Sequence, residues 1–445
     1  MSISILGPAE TDFDRHFRRA AWITWIVTMV GAASMFAGKS ADERGAFVRW
    51  RHQILDFQRG VNIWETDYFP YPPIFPVTTA PIWDLPPVAG AVTWFTLKAL
   101  MTVASILLCF RMVNASGKIL PSWVQALVLL LSLRPILSDQ HHGNVNLVIL
   151  FLIVATLYAW RKGYDVFAGL LLALAITYKV TPALFVPYFL FKREWRIATA
   201  TMVGVGLFLL VVPSLALGVE FNAECLSMWW HRILSPYVGK GEVSPQEVNQ
   251  SMAGVLMRLF TDVPQADKNH YGGTLLDLHL LSWPRERTTA MIKGLSVVFV
   301  GLLAYFSRTK TDRRDDPRLF GEWALVVMTM LFVSERSWKH HFVTLLLPYT
   351  FLVYHLFIVP STRRTRWVLG VALAASAIVM ASTSSEIGEF FLGEDGHKVA
   401  QFYGMFLWSA MILYVATAWR VMADRNLPPM SSSPSSPPAI VAEAA

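Results

Sequence analysis

Residues 138–146, with the sequence SDQHHGNVN, join two long apolar runs at residues 124–137 and 147–160. These nine residues contain one carboxylate, two imidazoles and three carboxamides. A turn between two membrane helices needs a residue such as Gly143, but it does not need this many hydrogen-bonding groups. Because polar groups at a membrane boundary are costly unless they have partners, such a cluster indicates a functional site. The alternative is a solvated turn that caps the two helices.

The composition is that of a membrane protein. Of the 445 residues, 54% are hydrophobic and 16% are charged, whereas soluble domains have about 25% charged residues. Apolar runs recur along almost the whole chain, so we predict an all-α polytopic membrane protein. Cys109 and Cys225 have neither the spacing of a metal site nor that of a disulfide framework. The net charge of +7 comes from basic residues in short loops, so no nucleic-acid partner is expected.

We predict about twelve transmembrane helices. The basic residues 1–19 form an N-terminal segment, and the first apolar run, residues 20–37, is interpreted as a signal anchor, with a cleaved signal peptide as the alternative. The further apolar runs are residues 86–110, 119–137, 144–160, 165–178, 183–191, 197–218, 289–307, 319–333, 340–360, 367–383 and 399–421. Residues 165–178 and 183–191 are shorter than the roughly 20 residues of a full crossing, which favours tilted, broken or re-entrant helices. Residues 20–421 thus form the membrane domain, and the Ser/Pro-rich residues 422–445 are predicted to be a disordered cytoplasmic tail.

Basic residues identify the cytoplasmic side of this domain. If every run crosses the membrane, the loops rich in arginine and lysine all lie on the side of both chain termini, and the positive-inside rule makes that side cytoplasmic. The outward-facing segments are then residues 38–85, 138–143, 179–182, 219–288, 334–339 and 384–398. We therefore predict a multi-pass protein of the cell inner (plasma) membrane, with two long extracytoplasmic loops and its polar clusters outside.

The first long outward loop contains acids and aromatic residues. Asp42 and Glu43 lie just beyond the first span, where a carboxylate can act as general base on a sugar hydroxyl, although either acid alone is more often simply solvated. Residues 64–73, with the sequence WETDYFPYPP, combine prolines with aromatic rings, which suits contact with a sugar ring or a lipid. An interfacial aromatic belt without a ligand is the alternative.

Two cations stand in or beside apolar runs. Arg134 lies near the outer end of its run, and an intramembrane arginine is costly unless it is paired, here with Asp139 or with a phosphate. Lys179 lies between the two short apolar pieces and suits a lipid-linked phosphate as a point charge. The alternative is a lysine that extends to the membrane interface and has no function.

Two further polar motifs face outward. Asn249-Gln250-Ser251 formally matches a glycosylation sequon, which is a common pattern. Residues 334–341, with the sequence SERSWKHH, place Trp338 before the adjacent histidines His340 and His341. Neighbours on a helix point about 100° apart, so these imidazoles suit hydrogen bonding to a phosphate or hydroxyl better than metal binding. We predict no metal and no cofactor.

Five motifs in this order resemble glycosyltransferase family 87, over about residues 40–350. They are Tyr71-Pro72-Pro73, Gly143-Asn144-Val145-Asn146, Lys179-x-x-Pro182, Asn249-Gln250-Ser251 and Ser337-Trp338-Lys339-His340-His341. The resemblance implies a GT-C-type membrane fold, a polyprenyl-phosphate sugar donor and an inverting transfer on the outer face. Family members usually have Gly-Gln-x-Asn in the second motif. The family spacing for a catalytic Asp lands here on Gly45 or Ala46, so that Asp42 and Glu43 are the nearest acids.

The sequence therefore predicts a membrane glycosyltransferase of the hexosyltransferase type. It would move a sugar, mannose or another hexose or pentose, from a polyprenyl-phosphate donor to a glycolipid or glycan acceptor. Membrane lipids are the other expected partners. The alternative is a transporter or flippase of a lipid-linked saccharide, because transporters also place polar residues between broken helices. The predicted catalytic residues are Asp42, Glu43 and His341. The predicted substrate-binding residues are Tyr71, Arg134, Asp139, His142, Asn144, Asn146, Lys179, Asn249, Gln250, Trp338 and His340.

Overall fold

The structure is a computed structural model that describes residues 12–114, 120–238, 241–261 and 279–425. Every regular element among these residues is a helix, so the predicted all-α fold is confirmed. The predicted N-terminal segment lies outside the described residues as far as residue 11, and the predicted disordered tail does so from residue 426. Residues 422–425 of that predicted tail are helical, because the last helix continues to Arg425.

The described chain forms 21 α-helices joined by short segments. The first eleven are α1 (Asp12–Ala41), α2 (Ala46–Gln58), α3 (Ile63–Thr66), α4 (Ile74–Trp83), α5 (Pro87–Val113), α6 (Ser122–His142), α7 (Asn146–Arg161), α8 (Asp165–Tyr178), α9 (Phe185–Phe191), α10 (Trp195–Gly206) and α11 (Val212–Leu217). The others are α12 (Val219–Trp229), α13 (Ser235–Val238), α14 (Met252–Phe260), α15 (Arg285–Phe306), α16 (Pro317–Val333), α17 (Leu346–Phe357), α18 (Arg363–Ala381), α19 (Ser385–Leu392), α20 (Gly396–Phe402) and α21 (Met405–Arg425). Connecting them are the 3₁₀-helices Thr181–Leu184 and Lys339–Leu345 and the π-helical turns Leu207–Val211 and Trp230–Leu234.

Six helical segments of the described chain are long and apolar enough to cross a membrane. They are Asp14–Ala41, Pro87–Val113, Trp195–Leu217, Arg285–Phe306, Arg363–Ala381 and Met405–Asp424. Shorter apolar helical segments stand at Ile74–Trp83, Asn146–Arg161, Asp165–Tyr178 and Thr181–Phe191. The protein is therefore a multi-pass membrane protein, and the number of twelve crossings stays a prediction.

The polar stretch between the two apolar runs forms the junction of α6 and α7. Helix α6 ends at His142, and Gly143 follows with a left-handed φ of 71°. This conformation closes many helices and favours glycine, which has no Cβ to clash. A second break, between α8 and α9, has Lys179 in an extended conformation and Pro182 in the 3₁₀-helix that follows. Both breaks direct polar side chains towards the same region.

The first long loop is folded, and most of its aromatic rings are buried. Residues 46–83 form α2, α3 and α4, which cover the beginning of α5. Trp64, Phe75 and Trp83 are fully buried, and the ring centre of Trp83 lies 5.8 Å from that of Trp94 in α5. Trp64 and Phe69 of residues 64–73 therefore stabilise the fold, whereas Tyr68 is exposed, and the contact of this stretch with a sugar or lipid stays a prediction.

Ion pairs tie the basic loops together at the other end of the bundle. Arg314 forms ion pairs with Asp165 and, at 2.7 Å, with Glu194. Lys192 lies 2.5 Å from the buried carboxylate of Glu322. The segment between α15 and α16 is thereby fixed to the start of α8 and to the end of α9, so the polar groups of this end are used in packing.

Candidate active site

A cavity of about 550 Å³ opens between α2, the end of α8, the π-helical turn after α12 and the segment that follows α16. Its polar lining consists of Arg49, Gln53, Asn144, Asn146, Lys179, Arg336, His340 and His341. Its aromatic lining consists of Trp50, Tyr68, Tyr71, Tyr178, Trp229, Tyr237 and Trp338. No aspartate or glutamate of the described chain lines this cavity, which is therefore electropositive with aromatic walls.

Half of the residues predicted from the sequence meet in this cavity, although they come from four separate parts of the chain. They are Tyr71, Asn144, Asn146, Lys179, Trp338, His340 and His341. The other predicted residues do not line it: Asp42, Glu43, Arg134, Asp139, His142, Asn249 and Gln250.

A buried lysine of α5 holds the α6–α7 junction in place. The Nζ of Lys98 donates to Asp139 Oδ2 at 3.0 Å and to the backbone oxygens of Asp139 and Asn144 at 2.9 Å each. The Nε1 of Trp94 donates to the Gly143 oxygen at 2.7 Å. Both Lys98 and Asp139 are fully buried. Asp139 is thus a support beneath the cavity, and its partner is Lys98 and not Arg134.

The junction in turn orients Lys179. Asn146 donates from Nδ2 to Asp139 Oδ1 at 2.9 Å, and its Oδ1 accepts a hydrogen bond from Lys179 Nζ at 2.5 Å. Burial lowers the pKa of Lys179 to about 7, although the carboxylate of Asp139 acts in the opposite direction. An anion in the cavity would favour the charged form of this lysine.

Two neutral imidazoles stand beside Lys179. Burial, followed by the nearby Lys179 ammonium, lowers the pKa of both His340 and His341. His341 Nδ1 accepts from the backbone N–H of Trp338 at 3.2 Å, so the proton of the neutral ring is on Nε2. The Nδ2 of Asn144 lies 2.9 Å from His340 Nε2. His341 therefore carries an N–H donor at the cavity wall.

Arg336 joins three separate segments of the chain at the cavity. Its Nη1 donates to the Tyr237 hydroxyl at 3.1 Å, and that hydroxyl lies 3.1 Å from the hydroxyl of Tyr68. The guanidinium carbon lies 4.8 Å from the ring centre of Trp338. A guanidinium has five N–H donors, so donors of Arg336 remain for an anion.

The motif Asn249-Gln250-Ser251 supports the segment that carries Arg336. Asn249 donates from Nδ2 to the Glu335 oxygen at 3.0 Å and accepts from the backbone N–H of Ser337 at 3.1 Å. The backbone N–H of Gln250 donates to the Ser337 oxygen at 2.6 Å. These buried amides therefore position the cavity wall without lining the cavity, and the substrate contact predicted for them stays a prediction.

The acids predicted as general base lie on the turn between α1 and α2. Asp42 is exposed and pairs with Arg44. Glu43 is exposed as well and has a left-handed φ of 53°, which is uncommon for a residue with a side chain. Helix α2, whose Arg49 lines the cavity, begins at Ala46.

Arg134 and His142 lie outside the cavity on the α6 side. Arg134 donates from Nη2 to the Thr383 oxygen at 2.7 Å. His142 has its Nδ1 2.8 Å from the Ser138 oxygen, and its ring centre is 5.7 Å from that of His340. His142 is therefore adjacent to the cavity wall, whereas Arg134 contacts the segment after α18.

The sequence reasoning missed Lys98, Arg49 and Arg336. Lys98 had a detectable signal, because a single lysine in the middle of a long apolar run is costly unless it has a partner. Arg49 and Arg336 stand in polar segments, where nothing local distinguishes a cavity residue from a solvated one.

Comparison with known proteins identifies a family. The sequence model of glycosyltransferase family 87 matches residues 69–334. The polyprenol-phosphate-mannose-dependent alpha-(1-2)-phosphatidylinositol mannoside mannosyltransferase of Mycobacterium tuberculosis is 27% identical over 291 residues, and that of Mycolicibacterium smegmatis is 27% identical over 293. Each alignment covers 62% of this chain, and the chain spans 60% of the length of these curated relatives. No solved structure matches the chain.

Proposed function

Since the chain belongs to glycosyltransferase family 87, we propose that it transfers a mannosyl group from a polyprenyl-phosphate donor to a phosphatidylinositol mannoside or a related glycolipid. The observation that carries this proposal is the cavity of about 550 Å³, in which cations stand beside aromatic rings and no described carboxylate is present. Its size is that of small-molecule sites, which measure about 300–1,000 Å³. The names of both mycobacterial relatives specify a polyprenol-phosphate-mannose donor and a phosphatidylinositol mannoside acceptor.

The reaction is a single displacement at the anomeric carbon of the donor. The acceptor hydroxyl oxygen forms a bond to this carbon while the bond from the carbon to the phosphate oxygen breaks. The electron pair of the broken bond leaves with the polyprenyl phosphate. The hydroxyl proton goes to a general base, and the configuration at the anomeric carbon inverts.

Lys179, Arg336 and His341 stabilise the leaving phosphate. Negative charge on the phosphate grows as the bond breaks, so fixed donors around it stabilise the transition state more than the bound substrate. The hydrogen bond from Lys179 Nζ to Asn146 Oδ1 holds the ammonium in position before the donor arrives. Because the donor lipid is anchored in the bilayer, the reaction needs no soluble nucleotide-binding domain.

One of the two acids Asp42 and Glu43 is the proposed general base. A carboxylate within the cavity would repel the donor phosphate, whereas these acids lie beyond the cavity lining, before α2. To take the proton, one of these carboxylates must lie within hydrogen-bond distance of the acceptor hydroxyl when both substrates are bound, so the base assignment requires the turn before α2 to approach the cavity. Asp42 already pairs with Arg44, whereas the side chain of Glu43 has no hydrogen-bond partner among the described residues.

Replacing Lys179 with methionine is expected to slow mannosyl transfer by about ten- to more than a hundredfold. The change keeps the apolar stem but removes one charge-assisted contact, which is worth about 1.5–3 kcal/mol. The measurement is the initial rate of sugar transfer from labelled polyprenyl-phosphate mannose. The same rate is measured with a small panel of other polyprenyl-phosphate sugars. Lys162→Met, which removes an exposed lysine at the far end of α7, is the matched control. Unchanged turnover in Lys179→Met would remove this lysine from the site.

The outward orientation predicts which cysteines an impermeant thiol reagent labels in intact cells. Cysteines in place of Glu65 and Glu394 should react, and one in place of Asp312 should react only after permeabilisation; all three side chains are exposed. The native Cys109 and Cys225 are buried and give little background. If Asp312→Cys is labelled from outside and the other two variants are not, the orientation is the opposite of the proposed one and the site lies on the cytoplasmic face.

A further inference from the structure

A second group of basic side chains lies beside the cavity but outside its lining. The Nζ of Lys39, near the end of α1, lies 2.6 Å from Nε2 of His141, near the end of α6. Helix α6 packs against α1 and against the 3₁₀-helix Lys339–Leu345, and it also carries Arg134. We refer to Lys39, Arg134, His141 and Lys339 as the basic cluster.

The lysines of the basic cluster have no carboxylate partner in the described part of the chain. The one side-chain hydrogen bond of Lys39 within the described residues is to the imidazole of His141, and Lys339 is half-buried with no side-chain hydrogen bond there. Burial, together with the ammonium groups of Lys39 and Lys339, lowers the pKa of His141. The acid nearest to Lys39 along the chain, Asp42, is paired with Arg44.

Arg134 is also incompletely satisfied. One of its terminal nitrogens donates to the Thr383 oxygen, and Glu386 interacts with it electrostatically. Its Nε is buried and has no hydrogen-bond partner. Lys39 and Lys339 thus both lie near His141, Lys339 also lies near Arg134, and Glu386 interacts electrostatically with Arg134. Such an excess of positive charge is relieved by an anion.

The basic cluster lies at the level where lipid headgroups are found. Lys39 stands two residues before the end of the candidate span Asp14–Ala41, and Thr383 stands two residues after the end of the span Arg363–Ala381. Helix α19 follows, and its Phe390 and Phe391 are 81% and 74% exposed. Exposed aromatic rings beside a membrane span suit the lipid interface. The phosphate of a membrane lipid would lie at this level of the bilayer.

The basic cluster is separated from the cavity by two imidazoles. His142 follows His141 of the cluster, and its ring centre lies 5.7 Å from that of His340, which lines the cavity. The cluster and the cavity are therefore neighbouring but separate sites. The donor cavity and the cluster would then serve two different lipids.

We propose that the basic cluster binds the phosphodiester of an anionic glycerophospholipid, which is the lipid part of the acceptor. The identification of this lipid as the acceptor rests on the proposed function, whereas lipid binding itself does not. The acceptor phosphodiester is held by Lys39, Lys339 and Arg134, and the donor phosphate is held in the cavity. Each phosphate thus has its own cations, and only the sugar end of the acceptor enters the cavity.

Equilibrium binding of fluorescent phosphatidylinositol to the purified full chain tests this proposal. In the double variant Lys39→Gln/Lys339→Gln, the affinity for phosphatidylinositol should fall by about tenfold or more, because two charge-assisted contacts are lost. Binding of a diacylglycerol with the same label and tails should not change. Arg59→Gln, which removes an exposed arginine paired with Asp56, is the matched control. Lys39→Arg/Lys339→Arg retains the cations and should restore binding.

Several results would overturn the proposal. Wild-type affinity in the Gln/Gln variant would exclude the two lysines, and equal weakening by Lys179→Met would mean that the lipid phosphate binds in the cavity instead. Inorganic phosphate that displaces phosphatidylinositol at submillimolar concentration would indicate a site for free phosphate. An affinity for diacylglycerol equal to that for phosphatidylinositol would show that the tails alone bind.

Turnover separates this proposal from the proposed function. With a phosphatidylinositol mannoside acceptor, the Gln/Gln variant should show a KM for the acceptor raised about tenfold or more and an unchanged KM for the donor. With a neutral alkyl mannoside, which has no phosphodiester, the variant and the wild type should be equal. If the wild-type protein transfers no sugar at all, the proposed function is wrong. The binding measurement still tests whether the basic cluster binds the lipid phosphodiester. A raised KM for the neutral acceptor as well would contradict a phosphodiester site.

Discussion

Turnover is expected to fall by about 10²–10⁴-fold in one of the two variants Asp42→Asn and Glu43→Gln, because one hydroxyl needs one general base. Each amide keeps the size and polarity of the acid but cannot accept the proton. Donor affinity should not change, since neither acid lines the cavity that holds the donor phosphate. The measurement is turnover and donor affinity for both variants side by side. Asp56→Asn is measured with them. The carboxylate of Asp56 lies further along the chain, in α2, and pairs with Arg59.

The outcomes distinguish different positions of the base. Full activity in both Asp42→Asn and Glu43→Gln would contradict the assignment of the base to the turn before α2. An inactive Asp56→Asn would move the base into α2. Weakened donor binding in the inactive variant would mean that the acid acts on the donor and not on the acceptor hydroxyl.

Replacing Lys98 with methionine is expected to lower the free energy of unfolding by about 3–5 kcal/mol. The substitution fits an apolar environment but leaves the carboxylate of Asp139 buried without a cation. The loss should extend to the site, because Asp139 fixes Asn146 and Asn146 fixes Lys179. The measurement is unfolding by denaturant titration in detergent micelles, together with the KM for the donor.

A second substitution tests the cause of this loss. Lys98→Met/Asp139→Asn removes the orphaned charge while keeping a side-chain oxygen for Asn146, so most of the stability should return. Arg59→Met, which breaks an exposed ion pair with Asp56, should change stability by less than about 1 kcal/mol. If Lys98→Met is as stable as the wild type, the network under the cavity is not a structural support.

The sequence was sufficient for the parts of the fold that depend on local chemistry. Long apolar runs predict membrane helices, Gly143 predicts the end of α6, and a short apolar piece before Pro182 predicts the break after α8. The folding of residues 46–83 was not predictable in this way. Burial of Trp64 and Trp83 depends on contact with α5 and other distant rings, and a single sequence does not report such pairings.

The candidate site shows the same division between local and long-range information. Lys179, Asn146 and His341 stand out because polar groups next to apolar runs are costly. The sequence could not predict that the predicted phosphate ligands divide into two groups, with Lys179 and His341 in the cavity and Arg134 outside it. That division depends on which helices pack together. Arg336 could not be recognised from the sequence for a related reason, because its role depends on contacts with Tyr237 and Trp338.

We propose that the protein forms a glycosidic bond and does not merely move a lipid-linked sugar across the membrane. The direct measurement uses proteoliposomes with polyprenyl-phosphate [¹⁴C]mannose and a phosphatidylinositol mannoside. The label is expected to pass to the phosphatidylinositol lipid, with one polyprenyl phosphate released for each mannose transferred and a slower transfer in Lys179→Met. Label that stays on the polyprenyl lipid while it changes leaflet would contradict the account and indicate a flippase.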